Sequence, residues 1–94
     1  MLYFNIWLTV KDRDDIEKVR ELLVEQCRRS RQEPGCSRFD VYHSTTDDTR
    51  FLLNEHWESQ ADVDAHRKAY AYTNVYQPKV LPLVSREPHP STLL

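Results

Sequence analysis

The stretch Arg50–Tyr70, "RFLLNEHWESQADVDAHRKAY", changes its hydrophobic period partway along. Up to Trp57 the period is two. Phe51, Leu53, Glu55 and Trp57 share one side and Leu52, Asn54 and His56 the other, the pattern of a strand. After Ser59 the period lengthens. Val63, His66 and Tyr70 fall at i, i+3 and i+7 with Ala69 beside them, the pattern of one helix face. Ser59 is the expected N-cap, with Asp62 in the capping-box position that Glu or Gln usually takes. A strand that turns directly into a helix points to a fold in which helices pack against a sheet.

The segments on either side extend this pattern. Cys36–Thr45 alternates again, with Phe39, Val41 and His43 on one face and Arg38, Asp40 and Tyr42 on the other. The polar turn "TTDDT" (Thr45–Thr49) joins it to the next strand as a hairpin. Before it, "EPG" (Glu33–Gly35) stops a helix, since Pro34 cannot continue one and Gly35 suits a turn with unusual backbone angles. That helix is capped by Asp12, carries Ile16, Val19, Leu22, Leu23, Gln26, Cys27 and Ser30 on its apolar stripe, and is expected to run to about Gln32. Arg28, Arg29 and Arg31 lie near its carboxyl end, where cations oppose the helix dipole. Leu2–Val10 is a first strand, with Leu2, Phe4, Ile6, Leu8 and Val10 facing one way and Tyr3, Asn5, Trp7 and Thr9 the other. Downstream, "YTNVYQPK" reads as irregular or briefly helical. A last extended segment runs from Leu83 to about Glu87, and the proline-broken "PHPSTLL" crosses a surface.

The order β-α-β-β-α-β defines one α+β domain over residues 1–94, with the split βαβ (ferredoxin-like) antiparallel sheet and both helices on one side. Such a sheet leaves one face uncovered, yet both faces here carry large apolar and aromatic groups. Pairing that face with a second copy resolves the conflict, so a homodimer is expected.

Composition narrows the function classes. With 39% hydrophobic and 30% charged residues the chain is globular rather than disordered. Its 13 basic and 15 acidic side chains give no general attraction to nucleic acid or anionic membranes. No apolar run approaches the roughly 20 residues of a membrane span. The opening "MLYFNIWLTV" lacks the basic region and cleavage site of a signal peptide, so a cytoplasmic location is expected. Cys27 and Cys36 are too few for a disulfide framework and are expected to be reduced. The single glycine excludes GxGxxG and phosphate-cradling loops.

"EPGCSRFDVYHS", "RFLLNEHWESQADVDAHRKAYAY" and "VLPLV" together resemble the antibiotic biosynthesis monooxygenase family, the small quinol-monooxygenase-like domains. The resemblance implies a dimeric α/β-barrel, built by two sheets packed face to face, with a pocket in each subunit. It further implies cofactor-independent oxidation of small electron-rich aromatics, quinols or anthrones, by dioxygen. The protein would supply a base, an oxyanion partner and a dry aromatic cavity. The alternatives are a non-catalytic dimeric barrel that binds a small hydrophobic ligand, and a haem-degrading or small-molecule isomerase relative.

On this resemblance His66 is the expected acid/base and Asn5 the expected oxyanion partner, the two converging on one point. Trp57, Trp7, Tyr70, Tyr72, Glu55 and Arg86 are expected to bind substrate. Trp57 would stack on a planar ring, Glu55 would have a raised pKa if buried, and Arg86 would clamp an anionic oxygen. Each residue also has a plain structural alternative, in core packing, interface bonding or solvent exposure. His43, His56, His66 and Glu55 could be gathered on paper into a metal site, but no HxH or HExxH spacing supports one. Tyr72, Asn74 and Tyr76 stand where the haem-degrading branch places its axial histidine. No metal or other cofactor is therefore expected.

Overall fold

The computed structural model describes residues 1–94. Its main elements are β1 (Leu2–Val10), α1 (Ile16–Ser30), β2 (Cys36–His43), β3 (Arg50–Trp57), α2 (Gln60–His66) and β4 (Val84–Ser91). The four strands form one antiparallel sheet in the order β2-β3-β1-β4, the ferredoxin-like arrangement expected from the pattern of periods.

Strand faces follow the alternation read from the sequence. Ile6, Leu8 and Val10 of β1 join Phe51 and Leu53 of β3 beneath the helices, packed with Val19, Leu23, Tyr76, Val80 and Val84. A smaller buried group, Cys27, Phe39, Trp57 and Val63, lies nearer the start of α2. Cys36 and Phe39 both reach this face although they are three apart in sequence. Cys36 pairs with Trp57 and Arg38 with His56, so Ser37 is an extra residue, a β-bulge.

The other face of the sheet carries a polar row between aromatic ones. Registry aligns Tyr42, Leu52, Trp7 and Glu87 across the sheet, then Asp40, Asn54, Asn5 and His89, then Arg38, His56, Tyr3 and Ser91. In the middle row Asn54 donates to Asn5 at 2.8 Å and Asn5 donates to Ser91 at 3.1 Å. Trp7 lies under the Arg50 guanidinium, 4.5 Å from its ring centre.

Three boundaries differ from expectation. Helix α1 ends at Ser30 rather than near Gln32, because Gln32 and Glu33 bond back to the carbonyls of Arg29 and Ser30 in a tighter turn. The stretch "YTNVYQPK" lies in a π-helical segment, Ala71–Val80, whose buried residues Ala71, Val75, Tyr76 and Val80 recur at four to five residues. That period is wider than the α-helical one, so an α-helical template misses it. The tail is not a surface crossing. β4 continues through Pro88 and Pro90 to Ser91, paired with β1 along its length. Proline is tolerated there because β4 is an edge strand, where an imino nitrogen can face the open side.

The "EPG" turn joins the layers. Gly35 has φ +80°, the chain's one positive value. A Cβ at this position would overlap the Asp62 carboxyl, which packs directly on the glycine. Asp62 is in turn part of the α2 cap: its amide donates to the Ser59 hydroxyl at 3.2 Å and that hydroxyl donates to its carboxylate at 2.8 Å. The shorter Asp thus completes the cap through side chains. The basic run at the end of α1 is also structural. Arg31 donates to the Phe39 carbonyl at 2.9 Å and pairs with Asp40, while Arg29 pairs with Glu25.

Gly35→Ala should lose about 1–3 kcal/mol from backbone strain alone, and more from the overlap with Asp62. Urea unfolding of Gly35→Ala in the wild-type and Asp62→Ala backgrounds checks this, and the loss should be smaller in the second.

Candidate functional site

A small cavity of about 30 Å³ lies between the sheet and the helices, bounded by Phe4 and Ile6 of β1, Glu55 of β3, Gln26 of α1, and His66. Tyr72, Tyr76, Arg67 and Arg86 close its other sides. Alternation and helix geometry bring these groups together. Phe4 and Ile6 point inward because they have the parity of Leu8. Glu55 has the parity of Leu53 and Trp57, which forces a carboxylate into the core. His66 follows Val63 on the buried side of α2.

His66 is 6% exposed and held from several directions. Its Nδ1 donates to Glu33 Oε1 at 2.7 Å. A carboxylate only accepts, so Nδ1 carries the proton of this bond and Nε2 is the ring nitrogen left on the Glu55 side. Nε2 stands 4.0 Å from Glu55 Oε1, beyond hydrogen-bond range. The Trp57 ring is 4.4 Å away, centre to centre, and Tyr72 meets the imidazole edge-on at 5.6 Å.

Glu55 is 6% exposed, and one oxygen accepts from the Trp57 indole at 3.0 Å. Burial raises its pKa, and the Trp57 bond and the charges of His66, Arg86 and Arg67 only partly oppose that rise. Across the cavity Arg86 Nε donates to the Tyr76 hydroxyl at 2.9 Å. Burial pushes the Tyr76 phenol up to about 12, leaving a neutral O–H able to donate to an anion. The Cys36 thiol is raised to about 11, by burial and then by Glu33 and Glu55, so thiolate chemistry is suppressed.

The expected site residues divide into groups. His66, Glu55, Trp57, Tyr72 and Arg86 come together at or beside the cavity. Asn5 and Trp7 do not, because their parity places them on the opposite face of the sheet. The expected convergence of Asn5 with His66 is therefore not found, and Phe4 and Ile6 form that wall instead. Tyr70 is 55% exposed under the Arg29 guanidinium. Helix α2 ends at His66, so the helical spacing that put Tyr70 on the same face no longer applies. His43 stacks on Phe51 and His56 packs against Tyr3 on the other face, so the histidines are dispersed. No three His, Cys, Asp or Glu side chains are grouped to hold a metal ion.

Sequence reasoning missed Glu33, Gln26 and Arg67 as site residues, whereas Tyr76, expected with Tyr72 to line or close the pocket entrance, is in the lining. For Gln26 a signal existed, since a glutamine in an apolar helical stripe has to find a partner. For Glu33 there was none, because its contact with His66 spans 33 residues. The cavity has room for about one water molecule. A planar ring needs more room than this, so its entry would require the lining side chains to move.

Comparisons with known proteins agree with this architecture. A family model described as "Antibiotic biosynthesis monooxygenase" matches residues 1–77, which include every cavity residue named above except Arg86. A solved structure from Nitrosomonas europaea, named as a candidate antibiotic biosynthesis monooxygenase, is 28% identical with a TM-score of 0.86, covering 98% of each chain. A Mycobacterium tuberculosis protein is 26% identical with a TM-score of 0.81, covering 99% of this chain and 96% of its own. A Bacteroides thetaiotaomicron protein of unknown function, described as a candidate oxidoreductase, is 23% identical with a TM-score of 0.88, covering 96% and 94% of the two chains, and shows the fold alone. No curated protein matches the chain.

The raised Glu55 pKa has a stability consequence of fixed sign. At low pH the carboxyl is neutral in both folded and unfolded chains. As pH rises past the ordinary carboxylate value the unfolded chain releases the proton first, and stability is lost through the folded value. Glu55→Gln keeps an acceptor for Trp57 and removes this loss. It should melt above wild type near pH 8 and level with it near pH 4, by calorimetry.

Proposed function

Because the chain belongs to the antibiotic biosynthesis monooxygenase family, we propose that it is a cofactor-independent monooxygenase. Its substrates are small electron-rich aromatics of the quinol or anthrone type, oxidised with dioxygen. The observation that carries this reading is the imidazole of His66, fixed through Nδ1 by Glu33 at 2.7 Å on the wall of a cavity that Tyr72, Tyr76 and Phe4 also line. A histidine held in one tautomer by a carboxylate is suited to remove a phenolic proton near neutral pH.

In this reading Nε2 takes the hydroxyl proton. The resulting phenolate faces the donors on the opposite side, Arg86 and the neutral Tyr76 hydroxyl, which take the oxyanion role that Asn5 had on sequence alone. Electron transfer from the phenolate to dioxygen, followed by radical combination, places a peroxide on the ring. Its collapse leaves one oxygen atom on the product and releases the other as water. A quinol supplies all four electrons this requires, so no external reductant enters the balance. Trp57 and Tyr72 flank His66 and keep water away from the imidazole. Trp7, Asn5 and Tyr70 serve no step.

The protein works as a homodimer in the cytoplasm, with the aromatic outer face of the sheet, Tyr3, Trp7 and Leu52, packed on its twin. The apolar part of the lining, Phe4, Ile6, Val63 and Tyr72, favours a second reading, a non-catalytic dimer that binds a small hydrophobic ligand.

Oxygen uptake with a panel of reduced quinols and anthrones tests the first reading. His66→Ala should lower the rate by about 100-fold or more, and Glu33→Gln by roughly tenfold, with its pH optimum moved. No uptake above the spontaneous rate with any compound would leave the binding reading. In light scattering, Trp7→Asp combined with Leu52→Asp should shift the mass from dimer to monomer.

A further inference from the structure

Most arginines of this protein have a visible counterpart. Arg13, Arg20, Arg29, Arg31 and Arg38 each pair with a carboxylate, and Arg50 covers the Trp7 ring. Two that lack a carboxylate partner, Arg67 and Arg86, line the same cavity. The Arg67 side chain makes no hydrogen bond or ion pair, and Arg86 engages only its Nε, on the neutral Tyr76 hydroxyl. The half-buried Tyr72 in the same lining also has an unengaged hydroxyl. Nearby carboxylates do not balance the two guanidiniums. Glu55 feels both charges but bonds to Trp57, and its burial favours the neutral acid. Glu33 is held by His66. Two like charges at one opening repel each other, and an anion between them would remove that cost. Both arginines are exposed, so such an anion sits at the mouth and needs no room inside.

We propose that Arg67 and Arg86 form a carboxylate-binding pair at the cavity mouth, and that the ligand is a small aromatic acid. The inference rests on the cavity being a ligand site, as both readings above hold, and names the charged group that ligand carries. Planar guanidinium groups match the two oxygens of a carboxylate, and the Tyr72 hydroxyl is a further donor. A phosphate monoester suits the place less well. Arg67 is the C-cap of α2, so the mouth lies at the carbonyl end of that helix, where a second negative charge is disfavoured.

Calorimetric titration near pH 7 in about 0.15 M salt tests this with long-range attraction screened. The probes are benzoate, its uncharged counterpart benzamide, and phenyl phosphate. Wild type should bind benzoate roughly tenfold more tightly than benzamide, the worth of one charge-assisted hydrogen bond. Arg67→Gln should bind the two alike and melt with the wild type, because the side chain changed is exposed and unpaired. Arg28→Gln removes an unpaired arginine of α1 that does not line the cavity, and should keep the full preference. The proposal is overturned if benzoate has no advantage, if phenyl phosphate binds more tightly than benzoate, or if no probe binds. It is equally overturned if Arg67→Gln keeps the preference, or if Arg28→Gln loses it, which would mark a general surface attraction. Benzoate binding with no oxygen uptake from any quinol or anthrone would sustain the carboxylate site and defeat the oxidation reading alone. Uptake unmoved by Arg67→Gln, with no benzoate binding, would do the reverse.

Discussion

The turn at Glu33–Gly35 is the constraint on which the rest of the molecule depends. Its left-handed glycine lets the chain reverse between α1 and β2 while lying flat against the start of α2. The Gly35 carbonyl accepts from Glu58 at 2.9 Å, which ties the β3-to-α2 junction to the same turn. Two residues before it, Glu33 reaches His66. One short turn thus sets where α2 begins, how closely it approaches the sheet, and which tautomer its histidine adopts. Backbone geometry and site chemistry are coupled here, because displacing the turn moves the carboxylate that orients the imidazole.

The cavity is an electrostatic compromise within a modest core. A chain of this size buries roughly 60–65% of its extended surface, so each polar group placed inside weighs heavily. Glu55, Gln26 and His66 occupy positions that Leu, Met or Val could fill, and the protein tolerates a raised carboxyl and an unpaired amide there. Local rules of burial broken together around one cavity mark a place where function competes with stability. The flanking aromatic rings limit the penalty by packing around the imidazole rather than leaving space for water.

Most of the fold was legible from period alone, because alternation in β1 and β3 and the change of period after Ser59 each report which side is buried. Glu55 and Trp57 could be grouped with Phe51 and Leu53 on that ground, and the capping role of Ser59 followed from residue type. The legible part stops where information is non-local. Asn5 and His66 both suggested chemistry, but the parity that sets Phe4 and Ile6 inward turns Asn5 outward, a conflict already present in the alternation. Tyr70 was misplaced by extending a helix past its end, and Glu33 could not be found because its partner is in another element. The π-helical segment was obscured by a repeat too wide for either standard template.

The prolines of β4 have a consequence for how the molecule can associate. A sheet edge normally offers a row of free donors and acceptors on which another strand can grow. Pro88 and Pro90 remove donors from the outer side of β4, and the bulge at Ser37 disrupts the regular spacing of β2 at the opposite edge. Both borders of the sheet are thereby poor templates for lateral growth into fibrils. The homodimer proposed above uses the broad aromatic face instead, and such pairing would end after one event, because the surface it consumes is the surface that drove it.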